Sequence, residues 1–541
     1  MGRPPGDGCR HRGRIRRQSL RHRVQGVTSE EGSTHRTDNQ STLLAPGLWI
    51  SPIVTGLWQV ADQERGGEAL DPVAAADAMA TYADAGLTTF DMADHYGSAE
   101  VVAGTLAARR DDLQFLTKWV PEPGPTSQAA VDEAVARALA RLNTDCVDLL
   151  QFHAWNYADP SWLDCLFMLA EHQAAGRIRH LGLTNCDAVH LDMAVRSGVP
   201  IVTNQVCFSL LDRRAAGAMT EVCRTHGVRM LAYGTLAGGF LSERWLGRDE
   251  PPIGESLTWS QMKYRRFIDQ AGGWDRFQGL LGAVDRVARR LSGAAERREP
   301  AGGTNPNVTS GSRAAAVDVS IANLACRYVM EHPAVAGIIV GARLGETSHI
   351  ENNLNLFRFS LDDEARHDLD AACCELDPIG GDCGDEYRRP PYLTASGDLS
   401  HHVTSFPAPY PVRRSGAAEY VSTGTPWEKL AGYSRAVRKG NRIHVAGTTA
   451  SHGDRLIGGR DPAAQTHFII DKIEGALQSL GATLEDVVRT RVYIRDGVDW
   501  EPVARAHGAR FAKIRPANTT VYANTVGDDL LVEIEVDAEV S

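Results

Sequence analysis

The sequence predicts an α/β protein: a (β/α)8 barrel of parallel strands followed by a smaller α+β domain. Three observations predict it. From about residue 47, short β-like runs alternate with helical stretches, the pattern of βα repeats. Eight such runs can be placed, each close to continuously apolar, as strands covered on both faces are. No G-x-G-x-x-G follows an early run, which argues against a doubly wound sheet.

In order the runs are VTGLWQV, TTFDMA, LQFLTKW, CVDLLQFH, IRHLGLTN, IVTNQVCFS, VRMLAYGTL and VAGIIVGA. The first crossover helix opens at Asp71, an N-cap, with Pro72 at the first helical position, and stops near Gly86. Between LLGAVDRVARRL and VDVSIANLACRYVM the chain turns rich in Gly, Ser, Pro and charge. Residues from about 293 to 315 are therefore read as a disordered insertion, which slowly growing loop-closure entropy tolerates. The barrel spans 47–378. Residues 379–419 lose all periodicity but keep aromatic, Cys and His residues, and are read as a linker or a lid. The second domain spans 420–541. Its helix, opened by Asp461 and Pro462 and closed by Gly481, lies between RIHVAGTT and VVRTRVYIRD; WEPVARAHGARF and the strands TTVYAN and LLVEIEVDAEV follow.

Composition narrows the function. The chain has 541 residues, a formal net charge of -11 and 43% hydrophobic residues, so it can bury more than one core and is too acidic for a general nucleic-acid binder. Ten cysteines form no CxxC pair and no metal-like spacing with histidine, which predicts neither a disulfide framework nor a metal site and fits a reducing cytoplasm. No apolar run suits a membrane helix or a signal peptide. Residues 1–46 begin arginine-rich. The equally polar EEGSTHRTDNQST that follows favours a solvated, disordered extension over an RNA contact or a targeting presequence.

Asp91, Tyr96, Lys118 and His153 each fall where an apolar run ends, and catalytic groups of such barrels sit at the carboxyl ends of strands. A phenol is a poor acid, with a pKa of about 10, until a nearby ammonium favours the phenolate. Lys118 can tune Tyr96, Asp91 can hold Lys118, and His153 can orient a substrate oxygen. Proton transfer to a carbonyl oxygen is the chemistry this set suggests. Trp58, Trp119 and Trp155 are candidate pocket walls for an apolar or ring-bearing substrate.

The segments DMADHYG, LTKW, LLQFH, LGLTN, NQV and LAYGTL, in this order, resemble the aldo-keto reductase family over roughly residues 47–378. The resemblance implies NADPH bound without a Rossmann motif, NAD being the weaker candidate, and a small carbonyl or alcohol substrate. It implies a catalytic tetrad of Asp91, Tyr96, Lys118 and His153, with Thr184, Asn185 and Gln205 on the nicotinamide carboxamide and Tyr233 stacked on its ring. In VGARLGETSHIENN, Arg343 is the candidate clamp for a 2′-phosphate and Asn353 a further adenosine contact.

The second domain, with GYSRAVRKGNRIHVAGTT and LLVEIEVDAEV, resembles the RidA family, also called YjgF or UK114, which implies a chorismate-mutase-like fold and a homotrimer. Members that hydrolyse enamines and imines hold the substrate carboxylate with an arginine that Asn518 replaces here. A neutral amide cannot supply that clamp. Tyr433 and Glu533 match two further family positions, although alternation also puts Glu533, Glu535 and Asp537 on one solvated strand face. The leading expectation is an NADPH-dependent carbonyl reductase whose second domain binds a ligand or drives oligomerisation. Imine deamination by that domain and an NADPH-sensing scaffold are the alternatives.

Overall fold

The computed structural model describes residues 41–60, 70–254, 257–295, 317–346, 348–388 and 406–541. The expected extension up to residue 40 and the centre of the expected insertion lie outside them. A hairpin, β1 (Thr42–Ala45) and β2 (Leu48–Ile50), precedes a closed barrel. The barrel strands are β3 (Ile53–Gly56), β4 (Thr89–Asp91), β5 (Gln114–Trp119), β6 (Val147–His153), β7 (Ile178–Thr184), β8 (Ile201–Cys207), β9 (Arg229–Tyr233) and β10 (Val335–Gly341), all paired in parallel, with β10 closing on β3. All eight predicted runs are strands. The first is shorter than its run, because Trp58–Val60 turns into a 3-10 helix.

The first crossover helix, Pro72–Asp84, begins as predicted: the Asp71 carboxylate accepts from the amides of Val73 and Ala74. Its end comes at Ala85. The hairpin was not anticipated, and it earns its place by burial, with Leu44, Leu48 and Ile50 packing against Val54, Leu116, Leu149 and Leu231 inside the barrel.

The C-terminal sheet is larger than the sequence suggested. It starts at β11 (Val412–Ser415) and β12 (Ala418–Val421), ahead of β13 (Ala436–Lys439) and β14 (Arg442–Thr449); a short hairpin, β15 (Ser451–His452) and β16 (Arg455–Leu456), follows. With β17 (Val487–Ile494), β18 (Ala517–Tyr522) and β19 (Val532–Glu539) the order is β11-β12-β13-β14-β19-β17-β18. Helix Pro462–Ser479 is buried along most of its length, since it covers β14 and β19 on one side and meets the barrel on the other. Gly475 permits a close approach: a Cβ there would collide with the Ala158 carbonyl. No helix among the described residues is long and apolar enough to cross a membrane.

Candidate active site

Parallel strands carry their carboxyl ends to one face, so a polar residue closing each apolar run reaches a shared mouth. There a cavity of about 830 Å³ is lined by Asp91, Tyr96, Lys118 and His153, and by Thr184, Asn185, Gln205, Tyr233, Arg343 and Asn353. All ten catalytic and cofactor-binding residues that the sequence nominates in the barrel therefore meet in one cleft.

At its centre the Lys118 Nζ donates to Asp91 Oδ2 at 2.6 Å and to the Met92 carbonyl at 2.9 Å. Burial lowers the Lys118 pKa, and the Asp91 carboxylate opposes the shift. The ammonium stands 5.1 Å from the centre of the Tyr96 ring. Tyr96 leaves β4 on a tight turn and packs edge-on against Trp58, ring centres 4.9 Å apart. Asp91 Oδ1 accepts from Gln205 Nε2 at 2.7 Å and from Gln151 Nε2 at 3.4 Å.

His153 is buried, and burial pushes its pKa well below the ordinary imidazole value, which favours the neutral ring. Nδ1 lies 3.4 Å from the Thr184 carbonyl, whereas Nε2 has no hydrogen-bond partner among the described residues. A buried, unmatched nitrogen on a cavity wall is a place for a ligand atom. With its proton on Nδ1 the ring accepts from a hydroxyl; with it on Nε2 the ring donates to a carbonyl oxygen.

On the other side, Asn185 follows β7 in the left-handed region (φ 55°), and its Oδ1 accepts from the Tyr233 hydroxyl at 2.7 Å. The Thr184 hydroxyl donates to the Gln205 carbonyl at 3.3 Å. Arg343 is 47% exposed at the rim, 3.8 Å from Glu346, and Asn353 is buried. This donor set fits a nicotinamide dinucleotide: amides and a phenol deep in the cleft, a half-exposed guanidinium at its edge.

Of the three tryptophans, Trp58 and Trp155 line the cavity. Trp119 does not. It is buried beside Phe152, ring centres 5.7 Å apart, because its position on β5 turns it away from the mouth into the core.

The sequence reading missed a second polar cluster. Lys263 Nζ, from helix Trp259–Gln270, donates to the Tyr387 hydroxyl at 2.8 Å and lies 3.3 Å from both Tyr233 Oη and Glu386 Oε1. Burial raises the Glu386 pKa, but Arg214 and Lys263 outweigh it and bring the carboxyl down to about 2. Tyr387 lines the cavity with its ring centre 5.8 Å from that of His153. Arg388 donates to the carbonyls of Ala154 (3.0 Å) and Asn185. Glu386, Tyr387 and Arg388 belong to the segment GDCGDEYRR; its run of acidic, aromatic and basic residues right after the barrel was the available signal.

In the C-terminal domain the Arg435 Nη2 donates to the Tyr433 hydroxyl at 3.2 Å. Burial pushes the Glu533 carboxyl up, with Arg435 opposing. Asn518 donates to Thr490 Oγ1 at 2.9 Å from the exposed strand β18. Strand β17 separates it from Glu533 on β19. Among the described residues no group of three or more His, Cys, Asp or Glu could hold a metal ion.

The Aldo/keto reductase family profile matches residues 52–373. The chain belongs to the aldo-keto reductase family. A second profile, described as Endoribonuclease L-PSP, matches residues 425–540. An aldo-keto reductase of Bacillus subtilis is 24% identical over 366 residues, covering 64% of this chain and 96% of that protein. An uncharacterized protein of Streptomyces coelicolor is 40% identical over 125 residues, 23% of this chain and 93% of its own length. A crystal structure of a YjgF/YER057c/UK114 family member from Mycobacterium tuberculosis is 47% identical, covering 23% of this chain and 99% of that one, at a TM-score of 0.21. This aldo-keto reductase thus carries a RidA-like domain at its C-terminal side.

Proposed function

We propose that the protein is an NADPH-dependent oxidoreductase that interconverts an aldehyde or ketone and the corresponding alcohol, with Tyr96 as the general acid and base. The observation that carries this reading is the Lys118 ammonium, held by Asp91 at 2.6 Å and poised 5.1 Å from the Tyr96 ring, facing the same cavity as the unmatched His153 Nε2. When bound, the cofactor supplies a hydride to the carbonyl carbon. Thr184, Asn185 and Gln205 would hold its carboxamide, Tyr233 its ring, and Arg343 and Asn353 its adenosine end.

The chain's own residues manage the proton. In reduction the Tyr96 hydroxyl gives its proton to the substrate oxygen; the phenolate left behind is stabilised by Lys118, whose charge Asp91 fixes in place. His153 orients that oxygen through Nε2. Trp58 and Trp155 present flat apolar walls, which favours a ring-bearing or apolar carbonyl compound and keeps water from the reacting atoms. Tyr96→Phe tests the assignment: NADPH oxidation with a panel of aldehydes and ketones is expected to fall about 10²- to 10⁴-fold with cofactor binding retained. An unchanged rate would show that the acid lies elsewhere.

A further inference from the structure

The turn Asn185–Asp187 is gripped from outside the barrel. Asp187 caps helix Ala188–Arg196, its Oδ1 accepting from the His190 amide at 2.8 Å and facing the His190 Nδ1 at 2.6 Å. The other ring nitrogen, Nε2, lies 3.0 Å from Asp471 Oδ2, on the RidA-like domain's helix Pro462–Ser479. Asp471 in turn accepts from Arg510 at 2.5 Å, and all these side chains are almost fully buried. Tyr157 stacks flat on His190, ring centres 3.5 Å apart, and its oxygen accepts from the Asp187 amide at 3.3 Å. One imidazole therefore ties a carboxylate two residues past Asn185 to a carboxylate from the other domain.

We propose that the RidA-like domain is a working part of the reductase: Asp471 acts through His190 and Asp187 as a positioning residue that keeps Asn185 in its left-handed conformation, ready for the nicotinamide carboxamide. The proposal rests on reading the cleft as a nicotinamide site. A buried imidazole between two carboxylates has one low-energy orientation, so it fixes the start of helix Ala188–Arg196 and with it the turn that carries Asn185. Loss of the Asp471 carboxylate leaves the ring held by Asp187 and Tyr157 and loosens the turn, letting it relax toward ordinary φ. Asn185 makes no covalent step, so the effect falls on cofactor binding rather than turnover.

Full-length Asp471→Asn tests this, since the amide keeps the shape and Arg510 keeps Glu474 as partner at 2.5 Å. The Kd for NADPH, read from quenching of protein fluorescence, is expected to rise about tenfold, with kcat at saturating cofactor within about threefold of the parent. Amide exchange across residues 183–188 is expected to quicken, that of residues 114–119 and 147–152 to stay unchanged, and His190→Asn to behave alike. Gln478→Ala removes another contact between the two domains, the 3.0 Å bond to Asn156, and is expected to change neither reading. Parental exchange across 183–188 in a folded Asp471→Asn protein overturns the proposal, as does a rise spread over both domains. A parent protein that binds no NADPH sinks the reductase reading instead, and the exchange data still decide whether Asp471 holds the turn.

Discussion

The barrel mouth and the C-terminal sheet carry similar residue types in opposite settings. At the mouth, Lys118 and Asp91 are each 5% exposed and serve one cavity; on the sheet, Arg491 and Glu535 form a pair at 2.9 Å with both side chains about one-third exposed. The difference lies in what burial does to charge. Out of water, a cation beside a phenol changes the phenol's acidity, and any group left unmatched is held open for a ligand. In water the same pair is screened and its geometry is cheap to lose.

Lys118→Met should break the first setting most severely. On the proposed mechanism it removes the charge that favours the Tyr96 phenolate, and it strands Asp91 in the interior with Gln205 and Gln151 as its remaining side-chain donors among the described residues. Carbonyl reduction is expected to fall at least about 10³-fold, and denaturant unfolding to show a loss of about 3–5 kcal/mol. Arg491→Met is the counterpart on the sheet and is expected to cost no more than about 1 kcal/mol. Equal losses would show that exposure does not separate the two sites.

Gly384→Ala is the next largest disturbance. Gly384 adopts φ 82° and presses on the Asn185 carbonyl, which a Cβ would strike, and the same carbonyl accepts from Arg388. Denaturant unfolding is expected to show a loss of about 1–3 kcal/mol, and NADPH titration a weaker affinity, because Tyr387 and Arg388 are pushed off the mouth.

A smaller effect comes from pH. Burial pulls the His190 imidazole down, yet Asp187 and Asp471 outweigh it and its pKa is raised. For Asp187 and Asp471 burial acts upward and the neighbouring cations prevail, so both are lowered. The histidine's contribution is fully present below its unfolded pKa of about 6.5 and fades as pH rises through the folded value. The carboxylates' contribution is present above about 3.9 and fades as pH falls through theirs. The cluster therefore stabilises most between about pH 4 and 6.5. The Tm gap between the parent and Asp471→Asn is expected to reach about 2–4 °C at pH 5.5 and to narrow at high pH. A gap that widens with pH would mean that His190 is neutral.

How far the sequence could be read follows from the same physics. The strand ends were legible because period and polarity change together at Asp91, Lys118 and His153, and parallel pairing then does the gathering. The two Trp residues on the wall and the one in the core look alike in sequence, because facing depends on which side of a strand end the chain turns. Lys263 and Glu386 were not legible: they come from a helix and a post-barrel segment whose meeting depends on long-range packing, and each alone reads as a solvated charge. His190 and Asp471 lie 281 residues apart, and nothing local to either announces the other.

The least effect is expected at Asn518, where the RidA resemblance implies an arginine. A guanidinium introduced as Asn518→Arg would stand on β18, whose residues are all exposed, two strand spacings or about 10 Å from β19 and Glu533. A carboxylate held there in water gains no more than about 1 kcal/mol, so ammonia release from an imino acid is expected to rise less than tenfold over a parent that matches buffer alone. A hundredfold rise would require a dry pocket around that arginine. The residues of β18 are all exposed within the described chain, so such a rise would place the missing wall on a second copy and make the sheet, like the barrel mouth, a buried site.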